Sequence, residues 1–147
     1  MKIKALNHMG IVVEDLEKTR VFYLGFLGMT EVPRPSNFMF EGAWFETENQ
    51  GQIHVILSKD TTSESGIPDP GVGKSGGLST HFAFEVNDLD AFMERAKSMN
   101  INIVGGPYVR GLGATQIYLQ DPDGYQVELF EMTHSNEEAQ VRGALLD

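Results

Sequence analysis

The amino-acid sequence predicts an α+β fold: two βαβββ repeats giving an open eight-stranded sheet, helices outside and a concave face inside. Two observations carry that prediction. First, His8-Met9-Gly10-Ile11-Val12-Val13-Glu14-Asp15-Leu16 returns 73 positions later as His81-Phe82-Ala83-Phe84-Glu85-Val86-Asn87-Asp88-Leu89, with His, Val, Asp and Leu in register. An internal repeat of this kind means that one supersecondary unit is used twice. Second, each copy runs from a segment of alternating character, through an aspartate, into a segment of helical spacing, and then into three short strand-like runs. A copy of about 70 residues is marginal alone, so the two should share a core or pair with a second chain.

The elements follow in order. Residues 4–13 form the first strand: His8, Gly10 and Val12 point one way, and the more apolar Met9, Ile11 and Val13 point toward a helix. Asp15 is placed to cap that helix, which carries Leu16, Thr19, Phe22, Tyr23, Phe26 and Leu27 and stops at Gly28. Residues 29–34 read as a short strand that Pro33 and Pro35 confine to an edge, and 34–40 as a loop with apolar teeth. Residues 43–48 and 52–58 read as a hairpin turning at Asn49-Gln50-Gly51. The Ser-, Thr-, Gly- and Pro-rich stretch 59–79 reads as a linker between repeat one (4–58) and repeat two (80–131). Gly73-Lys74-Ser75 within it is not a phosphate loop, because Pro68 stands where the motif needs glycine.

In the second repeat, 80–86 is a strand and Asp88 caps a helix with Leu89, Phe92, Met93, Ala96 and Met99 on one stripe, ended by Asn100. Residues 101–104 form a strand, 105–113 a loop holding Tyr108 and Arg110, and 115–120 with 125–131 a hairpin around Asp121-Pro122-Asp123-Gly124. Residues 132–147 are a tail, in which His134 reads as a surface residue.

Composition narrows the function. A length of 147 residues suits one domain spanning 1–147, and 41% apolar with 22% charged residues is ordinary for a globular protein. The net charge of −10 argues against a nucleic-acid partner. Without a long apolar run, no membrane span is expected. With no cysteine there is neither a disulfide framework nor a thiolate metal site, and with no leader pattern at Met1-Lys2-Ile3 a cytoplasmic address is expected.

Strand alternation then gathers a ligand set. On 52–58, Ile53, Val55 and Leu57 face the helix, leaving Gln52, His54 and Ile56 on the concave face; on 125–131, Val127 and Leu129 face the helix, leaving Gln126, Glu128 and Phe130. His8 and His81 lie opposite their own apolar sets, so His8, His54, His81 and Glu128 share the inner face, and 54 matches 128 at an offset of 74. Three imidazoles and a carboxylate suit one divalent transition ion such as Zn²⁺, Ni²⁺, Fe²⁺, Mn²⁺ or Co²⁺. Open positions on an octahedral ion would accept two vicinal oxygens of a substrate, with the ion as Lewis acid toward an enolate or similar oxyanion.

These residues, with Leu6-Asn7-His8-Met9-Gly10-Ile11-Val12-Val13, Phe22-Tyr23, Leu27-Gly28-Met29 and Asp121-Pro122-Asp123-Gly124 running to Val127-Glu128-Leu129, resemble the vicinal oxygen chelate superfamily over about residues 4–131. That superfamily holds glyoxalases, epimerases, extradiol dioxygenases, thiol transferases and bleomycin-binding proteins. Gly42-Ala43-Trp44-Phe45 with Gln52-Ile53-His54 is similar to a glyoxalase-like subgroup. The resemblance implies a metal-dependent lyase or isomerase, of the lactoylglutathione lyase kind, acting on a small chelated substrate. Its alternatives are an Fe²⁺ extradiol-type dioxygenase built on His8, His81 and Glu128, a thiol transferase, and a non-catalytic binding protein. In glyoxalase I the place of His54 is held by glutamate or glutamine, so Glu128 is here the one carboxylate among the ligands. A second could be Glu46. A two-residue turn at 49–51 would put Ala43, Phe45 and Thr47 on the face of His54; a three-residue turn, which Gly51 favours, would put Trp44, Glu46 and Glu48 there, with Glu46 opposite His54 as an additional base. Arg34 and Arg110 are placed to rim the concavity and hold an anionic group, and Trp44, Phe38 and Tyr108 to wall it. Relatives of this length form homodimers, so a homodimer is expected.

Overall fold

The computed structural model describes residues 1–38, 40–58, 81–110 and 113–132. The linker 59–79, the Gly73-Lys74-Ser75 stretch and the tail with His134 lie outside the described residues. The chain divides into two compact units, Met1–Lys74 and Ser75–Asp147, so the boundary falls inside the expected linker.

The first unit contains β1 (His8–Val13), α1 (Leu16–Arg20) continued by a π-helical turn (Val21–Phe26), β2 (Thr30–Val32), β3 (Gly42–Glu46) and β4 (Gln52–Leu57). They form a four-stranded sheet in the order β1-β4-β3-β2, with β1 and β4 parallel and the rest antiparallel. The second unit repeats the plan with β5 (Phe82–Glu85), α2 (Leu89–Ser98), β6 (Ile103–Val109), β7 (Ala114–Gln120) and β8 (Gln126–Met132), ordered β5-β8-β7-β6. The eight expected strands are thus present as two hydrogen-bonded sheets of four, each a βαβββ module. Among the described residues no helix is long and apolar enough to cross a membrane.

Both helices start where the sequence says. The Asp15 carboxylate accepts from the Glu17 and Lys18 N–H groups at 2.9 and 3.1 Å, and Asp88 accepts from Ala91 N–H at 2.9 Å. A second carboxylate assists α2: Glu131, at the end of β8, accepts from Leu89 N–H at 2.9 Å, a cap from 42 positions away. Both helices end in a left-handed residue, Gly28 at φ 74° and Asn100 at φ 54°. The closing bonds differ: Met29 N–H reaches back to Tyr23 O at 3.0 Å, whereas Ile101 N–H reaches Ala96 O at 2.8 Å.

Alternation places the cores. In the first unit Ile11, Val13, Ile53, Val55 and Phe45 are buried with Phe22, Tyr23 and Phe26, and the Tyr23 ring lies over Phe45 at 5.6 Å. In the second, Ile117, Leu119, Val127 and Leu129 are fully buried, with Leu89 and Ala96 on the buried stripe of α2. Burying such side chains contributes about 1.5–3 kcal/mol each. Ile56, expected on the open face, is buried at 8% exposure.

Several expected boundaries move: β2 is shorter than 29–34, β5 starts at Phe82 so that His81 precedes it rather than lying on it, and three further shifts bear on the site. The first strand begins at His8 rather than residue 4, leaving Met1, Ile3 and Leu6 exposed. The β3–β4 loop is Glu48-Asn49-Gln50, closed by Thr47 N–H to Gly51 O at 2.9 Å, with Gln50 and not Gly51 at positive φ. β6 runs on through Tyr108 to Val109, where a loop was expected, because register shifts on either side of Gly105 absorb the glycines and Pro107 without ending the pairing to β7.

Candidate metal and substrate site

The ligand-type residues occur as two pairs, one in each unit. In the first, the parallel pairing sets His8 opposite Gln52 and Gly10 opposite His54, which makes His8 and His54 diagonal neighbours. Their rings stack with centroids 3.9 Å apart and planes 12° apart. On the other side of β4, Trp44 is the direct cross-strand partner of His54 and stacks on it at 3.8 Å and 2°. His54 is therefore the middle ring of three. Gly42 lets the same pair of strands close up: a Cβ there would fall inside contact distance of the Val55 carbonyl.

Hydrogen bonds select which nitrogen each imidazole offers. Asn7 Oδ1 lies 2.8 Å from His8 Nδ1, so Nδ1–H donates and Nε2 keeps its lone pair. For His54 the assignment is reversed. Gln52 Nε2 donates to Glu46 Oε2 at 2.6 Å, and Gln52 Oε1 lies 2.8 Å from His54 Nε2. A carboxylate only accepts, so Gln52 must turn its amide NH₂ to Glu46 and its oxygen to His54. His54 then donates through Nε2–H and keeps its lone pair on Nδ1. Burial first, then the neighbouring charges of His8 and Arg34, push its pKa down to about 4.

These facts revise one expectation. Trp44 and Glu46 do share the face of His54, but Trp44 is opposite His54 and Glu46 is opposite Gln52. The hairpin turns one residue earlier than 49–51, so the pairing moves with it. Glu46 meets His54 through Gln52 rather than directly.

In the second unit His81 precedes β5 and Glu128 lies on β8. His81 Nε2 is 3.0 Å from Glu128 Oε2, and His81 Nδ1 is buried without a partner among the described residues. Glu128 is only 7% exposed. Its other oxygen, Oε1, accepts from Gln116 Nε2 at 2.5 Å, while Gln116 Oε1 accepts from Arg110 Nε at 2.6 Å and from the Tyr118 hydroxyl at 3.2 Å. Tyr118 is opposite Glu128, as Trp44 is opposite His54. Burial, then the Glu128 carboxylate, push the Tyr118 hydroxyl pKa up.

A divalent ion can be tested against these pairs. Two donor atoms about 2.1 Å from one ion and at right angles to each other stand about 3.0 Å apart. His81 and Glu128 meet that spacing. His8 and His54 do not fit the same ion as they stand, since imidazole lone pairs lie in the ring plane and the two planes are nearly parallel. Among the described residues no three His, Asp or Glu side chains are gathered into one coordination sphere.

The expected substrate residues divide. Arg34 is half-buried, with Nη1 and Nη2 donating to the carbonyls of Gly42 and Phe40 at 3.1 and 2.8 Å and its guanidinium over the Phe38 and Phe40 rings. It ties its own loop onto β3. Arg110 is exposed, lies 4.7 Å over the Tyr108 ring and commits Nε to Gln116. Trp44 is taken up by His54 on one face and approached by Phe38 edge-on at 5.9 Å. Asn7, Gln52 and Gln116 were not singled out as functional in the sequence. Applying the same alternation to 115–120 would have set Gln116 and Tyr118 on the face of Glu128.

Residues 5–129 match the model of the Glyoxalase/Bleomycin resistance protein/Dioxygenase superfamily. A lactoylglutathione lyase of Salmonella typhimurium is 30% identical over 134 residues, covering 86% of this chain and 91% of that one. Lactoylglutathione lyase GLX1 of Arabidopsis thaliana is 31% identical over 132 residues, covering 84% of this chain, which spans only 43% of the plant protein. The solved glyoxalase/dioxygenase of Nostoc punctiforme superposes with a TM-score of 0.71 at 23% identity, covering 89% of this chain and 92% of that one.

Proposed function

The chain belongs to the Glyoxalase/Bleomycin resistance protein/Dioxygenase superfamily, and on that premise we propose that it is a metal-dependent lyase or isomerase of the glyoxalase-like kind. The observation that carries this reading is the His81–Glu128 pair, whose 3.0 Å spacing suits two ligands of one ion. His8, with Nε2 left free by Asn7, is the third ligand in this proposal, and His54 the fourth once its ring leaves the stack. A bound divalent ion supplies Lewis acidity to a small substrate offering two vicinal oxygens. Around it the chain's own groups act: Glu128 accepts a substrate proton, Trp44 and Tyr108 wall the substrate, and Arg110 draws an anionic group to the rim, while Arg34 holds its own loop on β3 rather than reaching the substrate. Glu46 acts on His54 through Gln52 rather than as a separate base. In this reading the protein works in the cytoplasm as a homodimer.

The stack of His54 between Trp44 and His8 favours one second reading. With His54 held there, two histidines and one glutamate remain, the ligand set of an Fe²⁺ dioxygenase.

The experiment is the metal content of purified protein beside His54→Ala and Glu128→Ala, followed by turnover of hydroxycarbonyl and thioester compounds. About one transition ion per chain, lost in both variants, with turnover, is the expected result. Iron retained by His54→Ala supports the second reading. No ion after reconstitution with several metals overturns both and leaves a binding protein.

A further inference from the structure

We propose that Gln116 is a positioning residue for Glu128: an amide locked in one orientation by Arg110, which holds one carboxylate oxygen so that the other is turned to His81. The inference rests on Glu128 being a ligand, as proposed above.

Glu128 is nearly buried, and a buried carboxylate is costly unless its oxygens are occupied. Oε2 is taken by His81 at 3.0 Å and Oε1 by Gln116 at 2.5 Å. Gln116 is not the direct cross-strand partner of Glu128; it pairs with Phe130 and reaches diagonally across the β7–β8 ladder. An amide could bring either end to that contact, and its oxygen would repel the carboxylate. Arg110 removes the choice. A guanidinium has donors only, so with Arg110 Nε at 2.6 Å the amide oxygen must face it and the NH₂ is left for Glu128. The Tyr118 hydroxyl adds a second donor to the same oxygen. Arg110 is itself anchored, its backbone N–H donating to Ala114 O at 2.7 Å across the start of β7.

The first unit uses the same device with the charge reversed. There Glu46, an acceptor, turns the Gln52 amide so that its oxygen faces His54. A cation behind the glutamine offers a donor to a carboxylate; an anion behind it offers an acceptor to an imidazole. Gln52 lies on the strand of the residue it holds, whereas Gln116 lies on the neighbouring strand, so the two arrangements are not copies of one repeat position.

Two readouts test this. In metal-free protein, the Gln116 side-chain NH₂ resonances should be displaced from the usual amide position and should return to it in Glu128→Ala and in Arg110→Met. Then Zn²⁺ affinity is measured by competition with a chromophoric chelator for wild type, Gln116→Met and Gln116→Glu, with thermal unfolding of each. Gln116→Met keeps the volume, and Gln116→Glu keeps the acceptor for Arg110 while losing the donor. Each should bind Zn²⁺ about 10- to 100-fold more weakly than wild type, with folding retained by at least one. Undisplaced resonances, or affinity within about twofold of wild type in a folded variant, overturn the inference while the metal reading stands. Displaced resonances in a wild type that binds no Zn²⁺ overturn the metal reading and leave the orientation of Glu128 supported.

Discussion

Acidification of the metal-free protein should act through His54. Its pKa is pushed from an ordinary 6.5 down to about 4, chiefly by burial within the ring stack and then by His8 and Arg34. Between these two values the unfolded chain holds a proton that the folded chain lacks. Unfolding therefore takes up a proton, and stability falls as the pH falls from 6.5 toward 4; above 6.5 and below 4 this contribution is flat. At 1.36 kcal/mol for each pH unit the full difference is about 3.4 kcal/mol. The ring is partly exposed, so solvent screening reduces this to about 2 kcal/mol. Trp44 is the chain's one tryptophan and lies 3.8 Å above His54, so its emission reports the protonation directly. Urea unfolding of wild type and His54→Gln at pH 7.5 and 4.5, with chelator present, isolates the effect. Wild type should lose about 2 kcal/mol more than the variant between the two pH values, and native Trp44 emission should step well below pH 6.5. Equal losses in the two proteins, or an emission step near pH 6.5, would refute the stacked, desolvated placement of His54.

Gly42→Ala should cost about 3 kcal/mol, because the new Cβ meets the backbone carbonyl of Val55 and neither strand can yield without breaking the ladder beside His54; thermal melts of the two proteins check it. Asp15→Ala should lower stability by about 1 kcal/mol in urea titrations, since one carboxylate satisfies two free N–H groups at the start of α1. Glu131→Gln should cost about 0.5 kcal/mol while Glu131→Leu costs about 1 kcal/mol, because the amide oxygen can still accept from Leu89 N–H but without its charge.

The fold was legible because its two signals are local. Period-two alternation picked out Ile11 and Val13, Ile53 and Val55, and Val127 and Leu129 as core residues, failing at the end of β4 where Ile56 rather than Leu57 is buried, and aspartate before an apolar stripe marked both helix starts. The site was legible only as far as strand faces. Alternation says which side His54 and Glu128 take, but not what stands beside them, since that depends on register. One residue in the hairpin decides it: a left-handed Gln50, unfavourable for a residue with a Cβ, is tolerated in place of Gly51, and Glu46 moves from His54 to Gln52. The bulges of β6 hid the strand context of Tyr108 in the same way, because glycine and proline there read as loop. Glutamines such as Gln116 carry no pattern of their own; their role is set by which charge lies behind them.

The wide turn in the first helix marks where the two halves differ in length. Tyr23 and Ala96 are both fully buried and stand 73 apart, yet the helix ends, Gly28 and Asn100, stand only 72 apart. One residue has therefore been gained between Tyr23 and Gly28, or lost from the other copy. In a regular helix that change would swing every later side chain by about 100°, carrying Phe26 out of the core. Opening the turn spanning Val21–Phe26 to π geometry takes up the extra residue within the helix. Phe26 stays fully buried, and Met29 N–H closes onto Tyr23 over one more residue than Ile101 needs to close onto Ala96. The one-residue difference in length between the two halves is thus held inside the first helix, and the core contact of Phe26 is kept.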